Sequence, residues 1–598
     1  MKLEDVDVLL GMKSEDLLLE AGGFGRFQVF ILLLIAIPRV TLPLHFLLDN
    51  FLAAVPPHHC ALQGESGFGN LTAEELLLIR IPREPDGTFS SCKMYIEPQW
   101  HLLENYTWGP PNNSNWRLLR ASPWGQVRAS TWRQPNSSSW GPPNNSTWRP
   151  PNASNLESCQ YGWTYNRSQF TATIATQWDL VCEQKRLSQA SATFFFIGVM
   201  VGAIVFGYLS DRYGRRSMLL VCYVLTLVFG MAAAASINYP MLTVFRSLSG
   251  MSLSGFSSIT LAMSVEWMDT KHRTLAGCLS SLCWSFGNML LSLLAYLIRD
   301  WRWLLFAATS PCILMIISIR WLPESPRWLL TKGKVKEAHT VLVQCSSMNG
   351  KAVLSSKIST ETLRKIAEEE NTGTNYSYID LFRTPVLRRI SVCAAVVWFG
   401  VAFCYYGISL NITGLGLDMY MTQFVYGAIE VPSKLGVYVF MDKGGRRHAQ
   451  AWTLLITGFC IGINTVIPVS LGPLRTTIAI IGKGFSEASF TSVLLYTAEL
   501  YPTVLRQNGI GYNSFIARIG VSVAPLIILL DDLWKVLPQI IYCAVAIVSG
   551  LVAFCLPETL NVRLPETVKD IEETRRPEAG PPEAAPKELV SLRVLEKI

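Results

Sequence analysis

Charge is what this chain has least of. Acidic and basic residues fill 16% of its 598 positions while 50% are apolar, against about a quarter charged in a soluble domain, so an ordinary water-soluble globular protein is the first class excluded. Catalytic signatures are missing too. Gly482-Lys483-Gly484 has no surrounding phosphate-loop spacing, and Gly250-Met-Ser-Leu-Ser-Gly255 has one residue too many for a nucleophile elbow. His58-His59 has no further ligands at metal spacing. Neither an enzyme, nor a metal, nor a cofactor is expected. The formal charge of +7 does not point to nucleic acid, because much of the basic excess falls in short loops and no aromatic-interleaved basic patch occurs. Residues 1–26 lack an early apolar core, so no cleaved signal peptide is expected.

What the chain has instead is long apolar runs, each near the roughly 20 residues that cross a bilayer. Twelve spans are predicted, at about 27–48, 190–209, 217–237, 241–265, 274–298, 303–322, 389–410, 419–440, 451–470, 474–497, 509–530 and 536–556. The expected fold class is therefore an all-α membrane protein of twelve helices. Lys and Arg cluster after spans 2, 6 and 8, and cytoplasmic loops retain positive charge. Both termini are expected to be cytoplasmic, with span 1 acting as an uncleaved signal.

Three charged motifs occur twice. Asp211-Arg-Tyr-Gly-Arg-Arg216 returns as Asp442-Lys-Gly-Gly-Arg-Arg447, Glu266 with Arg273 as Glu499 with Arg506, and Pro323-Glu-Ser325 as Pro557-Glu-Thr559. The order is kept and each offset is about 230 residues, so the chain holds two copies of one six-helix unit, an arrangement used by secondary transporters. In this reading Asp211, Arg212, Arg215, Arg216, Glu266 and Arg273, with Asp442, Arg446, Arg447, Glu499 and Arg506, form latches between the bundles that a rocking motion breaks. The glycines of the first motif are expected to allow close helix approach, and Asp211 to accept from helix-end N–H groups.

The chain then divides as residues 1–26, an N-terminal bundle 27–322, a charged link 323–388 with short amphipathic helices, a C-terminal bundle 389–556 and a Pro/Glu/Ala-rich tail 557–598. Loop 50–189, predicted to be extracellular, holds Cys60, Cys92, Cys159 and Cys182, which imply two disulfides in one of three pairings. It also holds glycosylation acceptors at Asn70, Asn105, Asn112, Asn136, Asn144, Asn145, Asn152 and Asn166. Within it, residues 108–154 repeat Trp every eight positions among Pro, Asn and Ser, a low-complexity insert without the apolar content for a core.

The run Gly207 to Arg216 resembles the signature loop of the major facilitator superfamily. Together with Gly22-Gly-Phe-Gly-Arg-Phe-Gln28, Ala53-Ala-Val-Pro-Pro-His-His-Cys60, Gln177-Trp-Asp-Leu-Val-Cys182, Pro323-Glu-Ser-Pro-Arg-Trp328 and Glu499-Leu-Tyr-Pro-Thr-Val-Leu-Arg506, it makes the chain similar to the organic anion transporters of solute carrier family 22. That resemblance implies an antiporter-like carrier of small organic anions, exchanging them for a counter-anion by alternating access. It also implies pocket positions at Lys434, Trp398, Tyr405, Tyr406, Trp284, Phe490 and Ser514. Phe46 and Leu494 depart from renal relatives, which carry Asn and Phe there.

Arg518 stands apart from the resemblance. It falls about 15 Å into span 11, where a charge costs about 2.5 to 3.5 kcal/mol unless it faces a wet cavity. It is read as the counter-ion for an anionic substrate, the structural alternative being a pair with Glu487 or Glu430. Lys483 and Glu487 are four apart on one helix and are read as a structural pair. Arg39, Asp49 and Arg246 also lie in or near spans, with Arg246 placed near a cytoplasmic end or a bundle seam. Two other functions fit the same spans. One is an organic cation or zwitterion carrier, although the similar carriers of cations have an acidic residue where this chain has Arg518; the other is a glycosylated receptor, which has no use for an intramembrane arginine.

Overall fold

The computed structural model describes residues 23–62, 71–84, 88–100, 156–268, 272–350, 377–411, 418–502 and 504–560, with isolated residues besides. The chain crosses back and forth in twelve helical spans: Arg26–Leu52 (span 1), Lys185–Tyr213 (2), Arg215–Ala234 (3), Tyr239–Trp267 (4), Arg273–Leu297 (5), Trp301–Trp321 (6), Pro385–Ser409 (7), Met419–Gly444 (8), Arg446–Val466 (9), Gly472–Leu500 (10), Arg506–Ile528 (11) and Leu537–Ala553 (12). Ten are long and apolar enough to cross a membrane. Span 8, interrupted by Glu430, Pro432 and Lys434, is not among them, and span 12 is a shorter apolar helix of 17 residues. Large apolar side chains such as Leu314, Val439 and Val466 face outward, the arrangement a lipid environment requires.

Spans start where the chain supplies a cap or a proline. Asn238 accepts from Met241 N–H ahead of span 4, Asp300 accepts from Arg302 and Trp303 N–H ahead of span 6, and Pro385 opens span 7. Span 1 is broken midway: Pro38 lies in a 3₁₀ turn at Ile37–Val40, which removes a backbone donor inside the helix and tilts the following turns. Spans 2 and 4 pack closely because Gly198 and Gly202 leave no room for a Cβ against the carbonyls of Ser247 and Met251, which would lie 1.9 and 2.1 Å away.

The loop after span 1 carries two antiparallel strand pairs, β1 (His58–Cys60) with β4 (Trp163–Tyr165) and β2 (Lys93–Tyr95) with β3 (Leu156–Ser158). Of the three possible pairings, the structure has Cys60 with Cys159 and Cys92 with Cys182. The low-complexity insert lies outside the described residues, and it is bracketed by Tyr95 paired with Leu156. Seven of the eight acceptor asparagines also lie outside them; Asn166 is described, and its Oδ1 accepts from Ser168 N–H at 2.9 Å. In the link, a helix spans Val335–Met348 and is tethered to span 1, where Phe27 N–H donates to Asn349 Oδ1 at 3.0 Å. The tail from residue 573 lies outside the described residues.

Candidate functional site

Two levels of the molecule gather the charged residues: the face where spans 2 and 3, and spans 8 and 9, are joined by tight turns, and the middle of the bundle. At the first, Gly214 and Gly445 hold φ of +105° and +88°, a backbone that L side chains rarely adopt. A Cβ on either would lie 2.6 Å from a carboxylate oxygen, of Glu324 in one copy and Glu558 in the other. Glu324 accepts from Arg215 and Arg216 N–H at 2.9 and 3.1 Å, and Glu558 accepts from Arg446 and Arg447 N–H at 2.9 and 3.1 Å. Each glutamate therefore caps the exposed amides at a helix N-terminus.

Several expectations need correction here. Helix-end capping belongs to Glu324 rather than Asp211, whose side chain is mostly exposed and bonds Arg215. Of the glycines in the first motif, Gly207 faces open space and only Gly214 is tightly approached. The latch arginines pair within their own bundle: Arg215 with Glu266 and Arg446 with Glu499, both at 3.1 Å, while Asp442 lies 3.9 Å from Arg446. This follows from chain geometry, because each arginine starts a span lying beside the end of the span that carries its glutamate. Arg212 donates to Tyr208 OH, and Arg216 Nε to Ile319 O. Arg273 and Arg506 open spans 5 and 11, and the Arg273 side chain lies outside the described atoms.

In the middle of the bundle, spans 8 and 10 each place a lysine and a glutamate four residues apart. They pair crosswise, Lys483 with Glu430 at 3.1 Å and Lys434 with Glu487 at 3.1 Å, all four side chains being buried. The Lys483–Glu487 pair read from one helix face is therefore replaced by pairs between helices. Tyr405 OH and Ser285 Oγ donate to Glu430 at 2.8 and 2.9 Å, and Lys434 donates to Ser281 O and Ser285 Oγ. Lys483 also donates to Ser409 Oγ at 2.6 Å and lies 3.4 Å from the Tyr405 ring centre. The cluster holds two positive and two negative groups, so it cancels its own charge; buried charges persist when paired and hydrogen-bonded in this way.

Arg518 behaves differently. It is only partly buried, and neither Glu487 nor Glu430 pairs with it; among the described residues no carboxylate lies within ion-pair distance. Its Nη1 and Nη2 donate instead to Ser254 and Ser258 Oγ of span 4, at 2.9 and 3.4 Å. One turn earlier on the same face of span 11 stands Ser514, also partly exposed. The aromatic positions form a chain of ring contacts: Trp398 to Phe490 at 6.3 Å, Phe490 to Tyr405 at 5.4 Å, Tyr405 to Tyr406 at 5.1 Å, and Tyr406 to Phe196 at 5.1 Å. Phe46 continues it to Trp284 at 5.6 Å. Trp398 is buried with its Nε1 donating to Thr497, and Trp284 Nε1 donates to Tyr405 OH.

Sequence reasoning missed the first-half polar partners Ser281, Ser285 and Asn288, and it missed the serines of span 4. The signal available was their density inside helices otherwise apolar. Arg246 is also relocated. It pairs with Asp49 at 2.9 Å, fully buried, near the start of span 4 and the end of span 1, on the side opposite the glutamate-capped turns.

The sugar (and other) transporter family profile matches residues 152–570. Solute carrier family 22 member 7 of Homo sapiens is 48% identical over 95% of this chain and 97% of its own length, and that of Bos taurus is 47% identical over 96% and 99%. Solute carrier family 22 member 6 of Danio rerio is 38% identical over 94% of each. Among solved structures, the inward-open conformation of the xylose transporter XylE from E. coli superposes with a TM-score of 0.51 at 17% identity, covering 68% of this chain and 91% of that one. Two six-span copies with capped turns at matching positions, and relatives matched almost end to end, lead to one conclusion: the chain belongs to solute carrier family 22, as a multi-pass membrane transporter of the major facilitator fold for small molecules.

Proposed function

We propose that this transporter carries small organic anions across the plasma membrane by alternating access, exchanging them for a counter-anion, with both termini cytoplasmic and breadth of substrate supplied by the aromatic chain. The resemblance read from the sequence narrows further, to organic anion transporter 2. The observation that carries the proposal is Arg518: an arginine about 18 Å along its span, partly exposed and with no carboxylate to neutralise it among the described residues. A midplane charge without a partner is a functional group by default. The neighbouring lysines do not compete for this role, since Lys434 and Lys483 are consumed by Glu487 and Glu430. In this proposal Trp398, Tyr405, Tyr406, Trp284 and Phe490 present ring faces and edges to the substrate, Ser514 adds a hydroxyl, and Lys434 acts through the paired cluster. The duplicated arginine–glutamate groups at the tight turns set the rocking motion.

The test is uptake of a radiolabelled aromatic carboxylate in cells that display the chain at their surface. Arg518→Ala is expected to cut uptake more than tenfold at unchanged surface level, about 1.4 kcal/mol or more. Unchanged uptake by that variant removes Arg518 from the site. Uptake of a tetraalkylammonium cation with no carboxylate uptake by the natural chain replaces the anion reading with the cation one.

A further inference from the structure

In the middle of span 4, Ser254-Gly-Phe-Ser257-Ser258-Ile-Thr260 holds four hydroxyls, with Ser254 and Thr260 fully buried. Two arginines from opposite halves of the molecule engage it. Arg518 comes from span 11 to Ser254 and Ser258. Arg39 comes from the 3₁₀ break of span 1, where its Nη1 donates to Ser257 O at 3.2 Å and Thr260 Oγ1 at 3.0 Å. The stretch from Ser254 to Thr260 covers about 9 Å of helix, and both arginines lie about 18 to 20 Å along their spans, so the two guanidinium groups stand at similar depth on adjoining faces of one helix, about 110° apart around its axis.

Arg39 shares the features that single out Arg518. It is partly exposed, and among the described residues no carboxylate pairs with it. Its Nε is buried without a hydrogen-bond partner. The charge is what separates it from Arg246, which is fully buried and also has donors without partners, but whose charge is met by Asp49. Neutral hydroxyls and a carbonyl orient Arg39 while leaving its charge uncompensated, which is what an anion-binding group requires. The break at Pro38 turns this part of span 1 out of regular helix and so gives the side chain its approach to span 4.

We infer that Arg39 is a second anion-binding residue, and that Arg39 and Arg518 together select substrates bearing two separated acidic groups. The inference rests on the anion reading above. It makes Arg39 a determinant of charge number, with Arg518 serving every anion.

The experiment compares terephthalate with p-toluate, two ligands of matched shape carrying two carboxylates or one, as competitors of uptake of a radiolabelled aromatic carboxylate by the full chain at the cell surface. The natural chain is expected to prefer terephthalate by about tenfold. Arg39→Gln, which keeps a donor for Ser257 and Thr260 but not the charge, should erase that preference while changing p-toluate affinity less than twofold. Arg518→Ala should weaken both ligands. A variant in which both ligands weaken equally, or neither does, overturns the role of Arg39 and leaves the anion reading standing. No carboxylate uptake by the natural chain sinks the anion reading itself. Should Arg39→Gln fail to reach the surface, the natural chain decides: preference for terephthalate supports the inference, and equal or weaker binding than p-toluate overturns it.

Discussion

The two copies of the repeat agree at the turns and disagree in the middle. At the turns, positive-φ glycine, capping glutamate and arginine–glutamate pair recur with distances equal to within 0.1 Å: Gly214, Glu324 and Arg215–Glu266 against Gly445, Glu558 and Arg446–Glu499. In the middle, the first copy offers serines, an asparagine and Arg39, while the second holds Glu430, Lys434, Lys483, Glu487 and Arg518. A turn must solve one backbone problem in both copies, so its parts stay the same. The proposed substrate site draws on both copies and would be met once, so each half can supply different chemistry.

Breaking the middle should cost more than breaking either turn. Glu430→Ala leaves Lys483 buried without its nearest carboxylate, and losing one partner of a buried pair costs about 3 to 5 kcal/mol. A sharp fall in thermal stability of the detergent-purified protein is expected, with recovery in a Glu430→Gln, Lys483→Met double variant. Stability unchanged by Glu430→Ala would show that the cluster opens to water. At the turns, Gly214→Ala and Gly445→Ala should each cost about 1 to 3 kcal/mol through the strained φ, and the added methyl would also crowd the capping glutamate. The two effects should be similar in size. A loss confined to one copy, read from the same melting curves, would break the equivalence of the turns.

The smallest effect separates the turns by pH. Burial raises the Glu324 carboxyl above the ordinary range despite its backbone donors. At Glu558 burial acts in the same direction but is outweighed by N–H groups of Leu560, Arg446, Thr559 and Arg447, so its carboxyl is held below that range. A lowered carboxyl stabilises the fold above its unfolded pKa and loses that contribution as pH falls through the folded value; a raised one contributes below the unfolded value and loses it as pH rises. Acidification below the ordinary glutamate range should therefore loosen the Gly445 turn and spare the Gly214 turn. Hydrogen exchange over 445–447 and 214–216, corrected for intrinsic rates, reads the difference, and equal loosening would contradict it.

Much of this was legible in residues. The apolar runs and the two copies follow from apolar content and motif spacing, and the likeness to a carrier superfamily from short motifs such as Gly207 to Arg216, all of them properties of the chain taken one segment at a time. The partners were not. Asp211 lies in the signature motif, yet Glu324, more than a hundred residues later, caps the turn, because span 6 returns to that face. Lys483 and Glu487 satisfy the rule for a helix pair, but burial brought Glu430 and Lys434 against them and the charges matched across helices instead. Arg246 was misplaced although its position near the start of span 4 already sets it away from the capped turns; what depth could not give is its partner, Asp49, which arrives from span 1.

By itself the sequence determined that this protein is a doubled membrane bundle carrying an arginine at mid-depth, since helix length, apolar content and repeat spacing are local quantities. Which mid-membrane charges cancel and which stay available was decided only by tertiary structure. A charge in a low-dielectric interior is defined by what lies within a few ångströms of it, and here those neighbours come from other spans, up to 264 residues away in sequence.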